Sequence, residues 1–97
     1  MEGRDEMPVY RVGQYHLQIC YYDVEAKNDV EAIRHVLHSD LEPDEEEELG
    51  FGNERGIKPE DLTPEGYALL DTPNGQEILS RNKRFIPGIA YIEKKSS

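Results

Sequence analysis

Residues 15–37 read Tyr15-His-Leu-Gln-Ile-Cys-Tyr-Tyr-Asp-Val-Glu-Ala-Lys-Asn-Asp-Val-Glu-Ala-Ile-Arg-His-Val-Leu37, and a change of period inside this stretch decides the fold. Tyr15, Leu17, Ile19 and Tyr21 recur at every second position with His16 and Gln18 between them, as in a strand with one buried face. The apolar series then moves to Tyr22, Val24 and Ala26, so a bulge is expected near Tyr21 and Tyr22. Asn28 offers an N-cap side chain, and Glu31 stands three residues on, as in a capping box. Val30, Ile33, Val36 and Leu37 then mark one face of a helix expected over Asp29 to His38.

Working outward, Val9, Tyr10 and Val12 predict a short strand that reaches Gly13-Gln14, where a glycine at the first central position suits a type II′ hairpin. One long strand from Val9 to Ala26 with a bulge at Gly13 is the alternative, and its length counts against it. Downstream, Thr63-Pro-Glu-Gly-Tyr-Ala-Leu-Leu70 is echoed nine residues later by Thr72-Pro-Asn-Gly-Gln-Glu-Ile-Leu79. In each copy threonine can cap and proline fits the first helical position, which predicts two short helices meeting at Asp71-Thr72 and packing Tyr67, Leu70, Ile78 and Leu79 on the sheet. Phe85 to Ile92 reads as a closing strand, with Pro87 at an edge or bulge and Lys94 and Lys95 in a frayed tail. The expected fold is α+β: a small two-layer α/β sandwich whose mainly antiparallel sheet carries one main helix and two short helices on one face. One domain over residues 8–94 is expected, with 1–7 and 95–97 frayed.

Composition narrows the function classes. Of 97 residues, 36% are hydrophobic and 33% charged, and the formal net charge is -10. Such a chain is repelled by nucleic-acid backbones and anionic lipid, so neither direct nucleic-acid binding nor membrane binding is expected. No run approaches the ~20 apolar residues of a membrane span, and Met1 to Glu6 lacks the parts of a signal peptide, which predicts a cytoplasmic protein. The single cysteine, Cys20, reads as a small buried strand residue in a reducing compartment.

The chain offers no nucleophile beside a base, so an enzyme is not expected. His16, His35, His38 and Cys20 allow a zinc site only on paper, and neither metal nor cofactor is expected. Two features remain. From Asp40 to Glu48 only Leu41 and Pro43 are uncharged; this run reads as a solvated acidic loop or as one helical turn opening at Pro43, and Asp44, Glu45, Glu46, Glu47 and Glu48 are candidates for contact with a basic partner. Phe51, between two glycines, is a loop anchor or a contact residue. The second feature is the tyrosine cluster Tyr10, Tyr15, Tyr21 and Tyr22, from which Tyr10 and Tyr22 are taken as candidate aromatic contacts. Arg81, Lys83 and Arg84 form a small basic cluster, so charge is polarised along the chain.

Leu62-Thr-Pro-Glu-Gly-Tyr-Ala-Leu-Leu70 resembles a phrase found after the wing of winged-helix repressors, but no basic recognition helix accompanies it. In size, acidity and lack of catalytic motifs the chain resembles, as a class and by no shared motif, the small proteins that phages direct against host nucleases and polymerases, anti-CRISPR proteins among them. The expected function is a non-catalytic acidic inhibitor of a nucleic-acid-handling protein, acting in the host cytoplasm if phage-encoded. The alternative is an accessory subunit bound through a tyrosine-rich sheet face.

Overall fold

The computed structural model describes residues 7–16, 18–48 and 56–96. It has a four-stranded antiparallel sheet, a second two-stranded sheet and three helices, a small α+β fold. Strand β1 (Val9–Tyr15) pairs with β2 (Ile19–Glu25) from Val9↔Glu25 to Tyr15↔Ile19 without a break in register. The hairpin therefore turns after Tyr15 and not at Gly13-Gln14, closed by a hydrogen bond from the His16 N–H to the Gln18 carbonyl at 2.8 Å. Helix α1 (Asp29–His38) follows, capped by Asn28, whose Oδ1 accepts from the Glu31 N–H at 2.9 Å.

The apolar phase of β2 also differs from expectation. Cys20 and Tyr22 are buried and Val24 packs on the same core, while Ile19 and Tyr21 take the other face; Tyr15 belongs to β1, and no bulge interrupts β2. Both faces of this strand carry large side chains, so alternation alone could not choose between them. Irregularities fall instead in β6 (Ile89–Ser96), which pairs with β1 and has register shifts at Val9/Tyr10 and Gly13/Gln14. Lys94 and Lys95 thus lie in a strand and not in a tail.

Strand β3 (Glu45–Glu47) closes the other side of the sheet, giving the order β3-β2-β1-β6. The run expected as a loop or helical turn is extended because β2 offers it a free edge. A helical turn would set like charges three and four apart on one face, whereas extended backbone sends alternate glutamates to opposite faces.

The repeated Thr-Pro-x-Gly phrases behave as predicted. After β4 (Gly56–Ile57) and a 3-10 turn at Pro59–Asp61 come α2 (Pro64–Ala68), a second 3-10 turn at Leu69–Asp71 and α3 (Pro73–Ile78). Thr63 Oγ1 accepts from the Gly66 N–H at 3.1 Å and Thr72 Oγ1 from the Gly75 N–H at 3.3 Å. The glycines are required by close approach: a Cβ on Gly66 would stand 1.8 Å from Asp29 Oδ1, and one on Gly75 would stand 2.1 Å from the Leu69 carbonyl oxygen. Strand β5 (Ile86–Pro87) pairs with β4 as the second sheet, which places Pro87 in a two-residue ladder.

Tyr10, Val12, Ile33, Ile78, Ile86 and Ile89 form the centre of the core between the sheet and α1 and α3, with Leu70 and the half-buried Leu79 beside them. Tyr67 departs from its expected packing. It is 55% exposed, because the five-residue α2 turns only Gly66 inward. Asp29 is buried among these elements; its Oδ2 accepts from the Thr63 N–H at 2.7 Å and its Oδ1 from the Thr63 hydroxyl at 3.2 Å. The N-terminus of α1 and the entry to α2 are thereby joined. Among the described residues no helix is long and apolar enough to cross a membrane.

Candidate functional site

The face of the sheet turned away from α1 gathers charged side chains from all four strands, Arg11, Asp23, Glu45, Glu47 and Glu93 among them. Arg11 lies at its centre, on β1, because odd-numbered residues of that strand point away from the buried Tyr10 and Val12. Its Nε donates to Asp23 Oδ1 at 2.9 Å and its Nη1 to Glu45 Oε1 at 2.6 Å, so one cation spans three strands. The hydrogen bond to Asp23, then that to Glu45, raises the Arg11 pKa, and the same bond holds the Asp23 carboxyl below its usual value.

Tyr21 and Tyr91 flank Gly13 on the two neighbouring strands and meet edge to face, with ring centroids 5.8 Å apart. A Cβ on Gly13 would lie 3.0 Å from both of them, so the glycine leaves space for the pair. The Tyr21 hydroxyl donates to Glu47 at 2.6 Å and the Tyr91 hydroxyl to Glu93 at 2.6 Å. The bond to Glu47, aided by burial, pushes Tyr21 up to about 12; the bond to Glu93 raises Tyr91. The Arg11 guanidinium carbon lies 5.5 Å from the Tyr21 ring centroid, within cation–π range. Above these side chains is an open groove of about 530 Å³, walled on one side by Glu45, Glu46 and Glu47 and on the other by Glu93 and Lys95.

The predicted contact residues divide sharply. Glu45, Glu46, Glu47 and Glu48 are all exposed along the β3 edge, with Glu46 accepting from the Gln18 amide. Asp44 has a local duty: its Oδ2 accepts from the Asp23 N–H at 2.8 Å, and its own N–H donates to the Tyr21 carbonyl. Tyr10 and Tyr22 are corrected. They are 1% and 6% exposed and point into the core, where burial raises both hydroxyl pKa values, so neither offers a surface contact. The open sheet face carries Tyr21 and Tyr91, both half-buried, in their place, and of these only Tyr21 belonged to the cluster read from sequence. Phe51 lies outside the described residues.

The histidines are dispersed. His16 Nε2 is 2.9 Å from Gln14 Oε1 and 3.4 Å from the Tyr22 hydroxyl, while His38 bonds Glu77, which also receives Arg34. Those partners, His38 first, lower the Glu77 pKa. Among the described residues no group of three or more His, Cys, Asp or Glu side chains is placed to hold a metal ion. The chain was compared with protein-family models, curated proteins and solved structures, and nothing matched.

Proposed function

We propose that this chain is a non-catalytic protein-binding inhibitor or modulator whose acidic sheet edge occupies the basic surface of a nucleic-acid-handling protein. The observation that carries this reading is the extended conformation of Glu45–Glu47. Residues of a strand advance about 3.3 Å each. Phosphates along one strand of a duplex advance about 3.4 Å along the axis. A strand of consecutive glutamates therefore offers one carboxylate per residue at nearly the axial density of phosphates, although its side chains alternate between faces. Glu46 and Glu48 are exposed and joined to no cation among the described residues, and the net charge of -10 steers the whole molecule towards positive surfaces.

A second reading, the accessory subunit, draws on the Tyr21–Tyr91 pair on the open sheet face, since aromatic side chains of this kind dominate many interfaces. One experiment separates the two. The protein is immobilised, the proteins it captures from a native lysate are eluted with salt, and each is tested for release of labelled duplex DNA when the protein is added. Displacement of DNA, weakened in Glu46→Lys/Glu48→Lys together with the salt dependence, supports the inhibitor. A captured complex indifferent to those reversals but weakened by Tyr91→Ala rejects it in favour of the subunit.

A further inference from the structure

We infer that the groove beside α2 and α3, bordered by a basic turn, is a second docking surface, which takes an acidic segment of a partner protein bearing an apolar side chain. The groove encloses about 320 Å³ and is lined by Pro59, Tyr67, Leu70 and Leu79, with Asp71 and Lys83 among its polar members. Leu70 is buried and Leu79 half-buried, so the walls are anchored in the core, while Tyr67 is the most exposed large hydrophobic residue described. An aromatic ring left open beside an apolar concavity suits capture of a single apolar side chain.

Charge selects the occupant. Arg81, Lys83 and Arg84 are exposed on one turn, and none of them joins an ion pair among the described residues, although the chain holds 21 acids against 11 bases. Of the three only Lys83 lines the groove, where Asp71 is the one acid, so the turn sets three cations beside a single carboxylate. The turn is firmly built. Ser80 N–H donates to the Phe85 carbonyl at 2.9 Å, Lys83 N–H to the Ser80 carbonyl at 3.0 Å, and the Ser80 hydroxyl to Asn82 Oδ1 at 2.7 Å while accepting from the Arg84 N–H at 3.2 Å. Lys83 has φ +60°, the only positive value among the described non-glycine residues. Glycine or asparagine would hold that conformation with less strain, so lysine there supplies a cation at the groove at the expense of backbone ease. A nucleic acid is disfavoured as occupant, because its extended array of phosphates meets the -10 charge of the whole molecule, whereas a short carboxylate segment meets chiefly the local turn.

The test is a titration of isotope-labelled protein with the blocked hexapeptide Asp-Glu-Phe-Leu-Asp-Glu and with its Asn/Gln counterpart, followed by amide NMR. Saturable shifts at Tyr67, Leu79 and Lys83, with the neutral peptide about tenfold weaker, are expected. Lys83→Gly should keep or raise the melting temperature while weakening the acidic peptide by about threefold to fivefold, the share of one surface ion pair. Tyr67→Ala should weaken both peptides. Absence of saturation up to about 1 mM, shifts remote from the groove, equal binding of the neutral peptide, or unchanged affinity in Lys83→Gly overturns the inference.

Discussion

Replacing Asp29 by alanine tests the joint between α1 and α2, and its effect can be worked from the bonds at that carboxylate. Asp29 is 1% exposed and accepts two hydrogen bonds from Thr63, one from the N–H at 2.7 Å and one from the hydroxyl at 3.2 Å. Alanine leaves the Thr63 N–H without its partner in a part-buried place, at about 1–3 kcal/mol. Loss of the hydroxyl bond adds about 0.5–1.5 kcal/mol, and loss of an acid from the first turn of α1 about 0.3–1 kcal/mol. Relief from carrying a buried carboxylate offsets part of this, so a net loss of about 3 kcal/mol is expected for Asp29→Ala. Asparagine can still accept from the N–H and can donate to the Thr63 hydroxyl oxygen, so Asp29→Asn should lose only about 1 kcal/mol. Urea unfolding at neutral pH, with m unchanged, reads both values. A loss below about 1 kcal/mol for Asp29→Ala, or equal losses for the two variants, would refute the assignment of the joint to these hydrogen bonds.

Other outcomes concern the sheet and the core. The lowered pKa of Asp23 in the folded state means that its bond to Arg11 stabilises the fold above the ordinary carboxylate value and is lost as pH falls through the folded value. Arg11→Gln should therefore lie below the parent in melting temperature at neutral pH, with the gap closing in acid. Glu47→Gln should bring Tyr21 down from about 12 towards an ordinary tyrosine, seen in an ultraviolet phenolate titration; no movement would remove the Tyr21–Glu47 bond as its cause. Gly13→Ala forces apart the flanking Tyr21 and Tyr91 and should destabilise by about 1–3 kcal/mol, with a changed near-ultraviolet tyrosine signal. Ile33→Ala opens a cavity at a residue with no exposure and should lose about 2–5 kcal/mol in the same urea assay.

What could be read in advance follows the distance over which each element is decided. The bounds and cap of helix α1 were legible because Asn28 and the spacing of Val30, Ile33 and Val36 are local, but Leu37, expected on the same face, is exposed, and Ala32 is buried instead. The paired threonine caps at Thr63 and Thr72 were legible for the same reason. The hairpin was not, because β2 has large side chains on both faces and its register depends on a turn that no Asn-Gly or Gly-Asn dipeptide marks. Strand β3 was hidden more deeply: Glu45 meets its cation in Arg11, 34 residues earlier, and a run of like charge discloses nothing of that partner. Tyr10 and Tyr22 were drawn to the surface by composition, yet strand parity places them inward and leaves Tyr21 and Tyr91 outside. Tyr91 could have been found by asking which residues would flank a glycine at the middle of β1.

Strand β3 also bears on how copies of this chain behave towards one another. It lies at one end of the sheet, and among the described residues no further strand pairs with it. An open end of this kind is a template on which a second sheet could continue, copy upon copy. With Glu45, Glu46 and Glu47 along it, two such ends brought side by side would face each other with six carboxylates, and stacking would stall at the first step. Neutral side chains remove that barrier. Light scattering at neutral pH should therefore stay flat for the parent and rise with time when Glu45, Glu46 and Glu47 are all replaced by glutamine, and added salt should move the parent in the same direction by screening the repulsion.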